Sequence, residues 1–368
     1  MIKINLRQIQ LGLAAHVDGP LLSFILALMA LGLMVLYSAS GQDMGKTASQ
    51  MVNMVVALTL MWVISNVPPQ HLARLALPAY VLGLLLLIGV ALFGDVSHGA
   101  RRWLNIGITR IQPSEGMKLA VPLMLAWYLD KREKTLNFKD FSVATLLLAL
   151  PVGLIVKQPD LGTALLISAA GFYVLFLAGL NWRVILGLVA AGAASAPILW
   201  SLLHDYQRQR ILTLIDPSQD PLGAGYHIIQ SNIALGSGGI FGKGWFNGTQ
   251  AHLDFLPERT TDFIFAVFAE EFGLAGNLIL LTLYVLVIGR GLIIAAKAPT
   301  LFSRLLAGSI TLTLFTYAFV NMGMVSGILP VVGVPLPLIS YGGTSMVTLL
   351  VGFGMLMSIQ THRKLVQS

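Results

Sequence analysis

The sequence predicts an all-α polytopic membrane protein of about ten transmembrane helices, with one large extracytoplasmic loop between spans seven and eight. Three observations carry that expectation. Only 11% of the 368 residues are charged while 56% are hydrophobic, against roughly 25% charged in a soluble domain. Apolar stretches recur at close to the ~20 residues needed to cross a hydrocarbon core of about 30 Å. Basic residues also gather on one side of the alternating loops.

The spans fall near 20–40, 47–66, 75–94, 114–130, 140–157, 160–179, 183–204, 262–290, 303–328 and 342–360. Several are short or interrupted by Gly and Pro. The one long polar interval, 205–261, is read as a loop within a single domain of residues 1–368. With the N-terminus in the cytoplasm, 13 of the 23 Lys and Arg residues but only 4 of the 16 acids lie on the cytoplasmic side. Both termini are then cytoplasmic and the 205–261 loop faces outward. There is no cysteine, which excludes a disulfide framework and thiolate chemistry. The opening "MIKINLRQIQLGLAAHVDG" is basic and mildly amphipathic and lacks the pattern of a cleaved signal peptide. A formal charge of +7, with few aromatics among the basic residues, points to anionic lipid surfaces and anionic substrates rather than nucleic acid.

The outer side carries the unusual chemistry. In "GARRWLNIGITRIQPSEGMKLAVP", Pro113 suits the first turn of a helix, and Glu115 and Lys118 share a face three residues apart. Arg101, Arg102 and Arg110 stand just outside that helix. Such a set can grip a diphosphate at the membrane surface with guanidinium forks and an ammonium point charge. Interfacial anchoring with a structural Glu115–Lys118 pair is an equally good reading of the spacing. In "KQPDLGTA", Pro159 ends one helix and Asp160 is placed to cap the next, while Gln158 beside it supports a neighbouring polar cavity.

The 205–261 loop mixes amphipathic stretches with Gly turns, "GSGGIFGKGW" among them, and is expected to lie in the outer interface as one wall of a groove. Its glycines are not a nucleotide-binding loop, because no Lys-Ser/Thr pair follows them. The loop ends in "LPERTTDFIFAVFAEEFG". There Asp254, Glu258 and Asp262 are spaced four apart, and Glu258 and Asp262 share a face if Pro257 opens the helix. At the outer mouth of span eight, partial desolvation and neighbouring carboxylates raise the Asp262 pKa toward that of a general base. The same acids, Asp262 and Glu258, are candidate ligands for a divalent cation. Glu270 and Glu271 lie deeper, where a charge costs about 2.5–3.5 kcal/mol or more, and are expected to pair with basic residues or fill polar gaps. In "NMGMVSGILPVVGVPLPLISYGGTSM", Pro330, Pro335 and Pro337 break an apolar run. Irregular backbone at membrane depth is tolerated where it lines a wet cavity, with Ser340, Tyr341, Thr344 and Ser345 as its polar lining; close helix packing by small residues explains the run equally well.

Taken in order, "GARRWLNIG", "RIQPSE", "QPDLGTA", "HDYQRQR", "DPLGAGYHIIQS", "GKGW", "FLPERTTDFIFAVFAEE" and "GILPVVGVPLPLISYGGTS" resemble the SEDS family (shape, elongation, division and sporulation proteins) over almost the whole chain. The resemblance implies a peptidoglycan glycosyltransferase of the bacterial inner membrane with ten spans, acting in cell elongation. Such enzymes polymerise lipid II through β-1,4 links and release undecaprenyl diphosphate. It further implies a divalent cation (Mg2+ or Mn2+), a class B penicillin-binding transpeptidase as partner, and elongation-complex membrane proteins. The family's essential acid falls on Asp262, its Arg-Trp arginine on Arg102, and the acid and lysine of its "QPSE" region on Glu115 and Lys118. Thr260 stands where relatives commonly have His, and Gly116 replaces a bulky apolar residue. Two other readings predict different outcomes. A lipid flippase needs polar lining toward both leaflets, and a non-catalytic scaffold tolerates loss of the Asp262 charge.

Overall fold

The computed structural model describes residues 16–97, 100–105, 110–202, 205–219, 223–252, 256 and 258–365. Ten helices occupy the ten apolar segments. They are α1 (Gly19–Ala39), α2 (Met44–Ser65), α3 (Pro69–Phe93), α4 (Pro113–Asp130), α5 (Phe138–Val156), α6 (Leu161–Leu177), α7 (Trp182–Leu202), α11 (Ile264–Ala296), α12 (Leu301–Val325) and α13 (Gly343–Thr361). Seven of them are long and apolar enough to cross a membrane: α1, α2, α3, α5, α11, α12 and α13. Shorter apolar helices are α6 and the 182–197 part of α7. Helix α4, which carries Glu115 and Lys118, falls outside both groups.

Local signals set the ends. Asp43 caps α2 by accepting from the Gly45 and Lys46 N–H groups, and Asn137 with Asp140 forms a capping box on α5. Asp18 caps α1 through Leu21 N–H and also receives Arg290 of α11 in a two-point ion pair of 3.0 and 2.5 Å. That pairing ties the start of the first described helix to the eighth apolar segment. At the centre is α12, the most buried of the seven long helices, which packs against α4, α6, α11 and α13. Helix α7 is exposed along most of its length.

Two features depart from an all-helical bundle with a surface loop. Between α3 and α4 lies a small antiparallel sheet, β1 (Asp95–Ser97), β2 (Ala100–Asn105) and β3 (Arg110–Ile111), in the order β1-β2-β3. It holds Arg102 and Trp103 over the start of α4. The interval after α7 is also structured, with α8 (Asp205–Ile215), α9 (Ala224–Ser237) and the single turn α10 (Thr249–His252). Helix α9 packs on α11, and buried Ser231 donates to Val325 O of α12 at 2.9 Å.

The glycine-rich stretch is bonded into α11 through its backbone, although Gly239, Ile240 and Phe241 stay exposed. Helix α11 breaks at Gly273 (φ 62°, ψ −160°). In an unbroken helix the Leu274 and Ala275 N–H groups would bond to the Glu270 and Glu271 carbonyls. Instead Leu274 and Ala275 donate to Gly239 O and Ile240 O, both at 2.9 Å. The vacated Glu270 and Glu271 carbonyls accept from Lys243 and Gly244 N–H, both at 3.0 Å. The loop is thus spliced into the helix break, and the polar groups that a break exposes are all answered, as a low-dielectric surrounding demands. Side chains complete the joint. Buried Glu270 accepts from Lys243 Nζ (2.6 Å), Thr249 N–H and hydroxyl (both 2.9 Å) and Gln250 N–H. Glu271 accepts from the Ser38 hydroxyl of α1.

Only glycine fits at the splice. A Cβ on Gly242 (φ +78°) would lie 2.0 Å from Glu271 O, and backbone cannot yield by that much. Gly242→Ala is therefore expected to destabilise the protein by about 2 kcal/mol or more. Gly236→Ala, in α9 with no atom within 4 Å of the added carbon, should be neutral or gain up to about 1 kcal/mol. Thermal unfolding in detergent of the two variants side by side is the measurement.

Candidate functional site

Six segments converge at one end of the bundle: β2, the starts of α4, α6 and α13, the turn before α11, and the irregular run 333–342. They enclose an open cavity of about 220 Å³. Among its lining residues are Arg102, Gln112, Glu115, Lys118, Asp160, Asp262, Tyr341, Thr344 and Ser345. Residues 160 positions apart in sequence thus face one space.

On its floor, Lys118 is buried, donates to Glu115 Oε1 at 2.5 Å, and lies 5.0 Å from the centroid of the Tyr317 ring. The second Glu115 oxygen is buried without a partner among the described residues. On the wall, Asp160 caps α6 by accepting from Thr163 N–H (3.3 Å) and also accepts from Gln112 Nε2 (3.2 Å). Arg102 reaches the same carboxylate at 3.8 Å and donates to Pro159 O at 2.8 Å. Asp160 therefore caps its helix and anchors the guanidinium in one arrangement.

Asp262 lies in the turn that precedes α11. Three consecutive carbonyls of that turn are gripped. Thr260 O accepts from Tyr341 N–H (2.9 Å), Thr261 O from Ser340 hydroxyl (2.6 Å), and Asp262 O from Asn321 Nδ2 (2.8 Å). Arg259 Nε holds the same turn to Ala39 O at the end of α1 (2.6 Å). The Asp262 carboxylate itself has no hydrogen-bond donor among the described residues and faces the cavity. Burial, and then the charge of nearby Glu258, push its carboxyl from 3.8 up to about 6.

Other candidates take different places. The Ser340 hydroxyl does not face the cavity: it donates to Thr261 O and accepts from Leu336 N–H, so it fastens backbone to backbone. Gln158 is buried and donates to Leu87 O at 3.0 Å, joining α3 to the α5–α6 corner. Glu258 is exposed, in a left-handed backbone conformation (φ 52°), and accepts from the Thr261 hydroxyl. It acts on Asp262 by its charge. Pro257 and Asp254 lie outside the described residues, as does the side chain of Arg110, whose backbone pairs with Asn105 in the sheet. Asn321 and Tyr317 were not singled out in the sequence. Their i,i+4 spacing on α12 is the only signal they carry there.

Formal charges along the cavity are Arg102 and Lys118 against Glu115, Asp160 and Asp262. Among the described residues no three His, Asp or Glu side chains cluster as a metal site. Asp262 with Glu258 fits the alternative in which Mg2+ or Mn2+ is held by one or two carboxylates together with substrate phosphates. The lining does not continue to the far end. Lys118 also borders a separate void of about 30 Å³, lined by Leu119, Ile310, Leu314 and Leu349 together with Thr313, Tyr317 and Thr348. A larger groove of about 380 Å³ between α11 and α12 is almost wholly apolar and suits hydrocarbon rather than a charged reactant.

A family model described as FTSW_RODA_SPOVE, cell cycle protein, matches residues 20–365. The chain is 54% identical over 351 residues to peptidoglycan glycosyltransferase MrdB of Escherichia coli K12, covering 95% of each. It is 36% identical to a probable peptidoglycan glycosyltransferase FtsW of Geobacter metallireducens over 98% of each chain. Its fold is similar to a chain of a peptidoglycan synthase complex described as coordinating polymerization and crosslinking (TM-score 0.83, 34% identity, 94% of this chain and 98% of that chain). It is also similar to the crystal structure of Thermus thermophilus rod shape determining protein RodA (TM-score 0.72, 31% identity, 94% and 97%).

The raised Asp262 pKa has a definite sign. The folded state binds this proton more tightly than the unfolded chain, so the contribution of Asp262 to stability falls as pH rises from about 4 to about 6. Asp262→Asn should remove that slope, leaving a variant at least as stable at neutral pH by thermal unfolding. Glu258→Gln should lower the carboxyl midpoint, read by infrared difference spectroscopy as the Asp262 band that disappears in Asp262→Asn.

Proposed function

This chain belongs to the FtsW/RodA/SpoVE family and is a peptidoglycan glycosyltransferase, and from that premise we propose that the Asp262 cavity is where it polymerises lipid II. The observation that carries the reading is the carboxylate of Asp262, held at the cavity wall by its backbone with its own oxygens free. The sugar 4-hydroxyl of one lipid-linked unit is the nucleophile. Asp262 accepts its proton as the oxygen attacks C1 of the growing strand. The C1–phosphate oxygen bond breaks, and undecaprenyl diphosphate leaves. An α-linked donor and a β-1,4 product require inversion, so attack is direct and forms no covalent enzyme intermediate.

An ionised Asp262 near neutral pH follows from a pKa of about 6, which keeps the base charged yet basic enough to take a proton. Arg102 and Lys118, with Arg110 from the neighbouring strand, offset the charge that develops on the diphosphate. Glu115 orients Lys118, and Asp160 orients Arg102. Tyr341, whose N–H is tied to Thr260 O, presents its ring to the same space. Three carboxylates against two described cations leave little net attraction for a diphosphate; in the alternative to the base role, Asp262 and Glu258 would hold a divalent cation that offsets this charge. When bound, it supplies positive charge at the leaving group.

In a multi-pass membrane arrangement we place all ten helices as spans, with both termini cytoplasmic and the cavity at the outer face of the inner membrane. The 205–261 interval is then periplasmic. A class B penicillin-binding transpeptidase and other elongation-complex membrane proteins are the fitting partners, in line with the crosslinking activity attributed to the related synthase complex. One feature speaks against lipid flipping: the charged lining residues Arg102, Glu115, Lys118, Asp160 and Asp262 gather in one cavity at one end of the bundle.

With purified protein, its transpeptidase and lipid II, Asp262→Asn should abolish glycan polymer, seen as loss of bands on a gel, while partner binding persists. Lys118→Met should reduce the rate at least about 100-fold. Normal polymer from Asp262→Asn ends the proposed role. Chelation should stop synthesis, with recovery on adding Mg2+ or Mn2+.

A further inference from the structure

The geometry points to Asn321 as the positioning residue of Asp262, through a single amide nitrogen that binds the Asp262 and Val334 carbonyls at once. This rests on the reading that Asp262 carries the reaction. Asn321 lies on α12 behind the cavity wall, is fully buried, and does not itself line the cavity. Its Nδ2 donates to Asp262 O at 2.8 Å and to Val334 O at 2.7 Å. One nitrogen with two hydrogens is the only neutral group that can bridge two acceptors in this way. Aspartate would set oxygens against oxygens, and a hydroxyl could serve only one carbonyl.

The two carbonyls belong to the two segments that meet at the carboxylate. Asp262 ends the turn before α11, and Val334 follows Gly333, where an added Cβ would approach Asp262 Oδ2 to 3.4 Å. By joining these segments, the amide fixes how far the carboxylate projects into the cavity. The partner side of the amide gives an independent indication. Asn321 Oδ1 is buried without a donor among the described residues, so the residue's two donors account for its polarity here, and its acceptor is left idle. A buried polar group so placed calls for a reason. One turn earlier on the same helix, Tyr317 lies against Lys118, so α12 registers both the acid and the lysine of the site.

The chain has no cysteine, which allows a direct test. Asp262→Cys alone creates a unique thiol whose labelling by a membrane-impermeant methanethiosulfonate reports the freedom of that position. Adding Asn321→Ala should raise the labelling rate several-fold, while a thiol placed by Thr344→Cys in the cavity lining at the start of α13 labels at the same rate with or without Asn321→Ala. In the otherwise native enzyme, Asn321→Ala should lower kcat by about 100-fold, as a displacement near 1 Å does, with KM for lipid II changed less than about threefold. Asn321→Ser, which keeps one donor, should fall between. Unchanged labelling at position 262 overturns the inference. So does failure of both variants to fold, because the residue is then needed for the bundle as a whole. Faster labelling with undiminished kcat keeps the positioning and overturns instead the role of Asp262.

Discussion

The site depends on a grip on three successive peptide carbonyls. In the proposed base role, a carboxylate that takes a proton from a sugar hydroxyl cannot also be held by strong donors, since each would lower its basicity. The chain resolves this by holding the backbone and leaving the side chain alone. Residues 260 to 262 are fastened by Tyr341, Ser340 and Asn321, which come from the irregular run after α12 and from α12 itself. The prolines of that run stop it becoming helix, and the Tyr341 N–H and the Ser340 hydroxyl become partners of the turn.

The acids deeper in α11 answer a different need. A loop that enters a broken helix must bring its own compensation for every group it disturbs. Glu270 collects the loop lysine and three further donors, and Glu271 meets α1 through Ser38. Trp245 adds a bond from its indole N–H to Met34 O, and Tyr37 packs against Trp245 and Phe246. The upper part of α11, the loop and α1 thus form one body, and Asp262 lies at its rim.

Much of this was legible in the sequence and some was not. The meeting of Arg102, Glu115, Lys118 and Asp262 around one space was expected from the family resemblance, while the ten apolar segments, the Asp160 cap and Pro113 in the first turn of α4 follow from hydropathy and helix-end chemistry. Those signals are local or nearly so. The short sheet escaped because its strands are only 3, 6 and 2 residues long. The splice at Gly273 escaped because its four hydrogen bonds join residues about 30 apart, and a glycine-rich run reads equally as surface turns. Ser340 looked like cavity lining because a serine beside a tyrosine carries no sign of which way its hydroxyl turns. Asn321 lay hidden in an apolar helix, where one amide is a small mark unless its partners are known.

Every donor in the grip is electrically neutral: a peptide N–H, a hydroxyl and a carboxamide. None of them titrates in the range where a cell lives, and none is screened by salt as an ion pair would be. These three bonds therefore hold whatever the acidity and ionic strength at the site. Responsiveness is confined to the group that is carried, and the carrier stays the same in every medium.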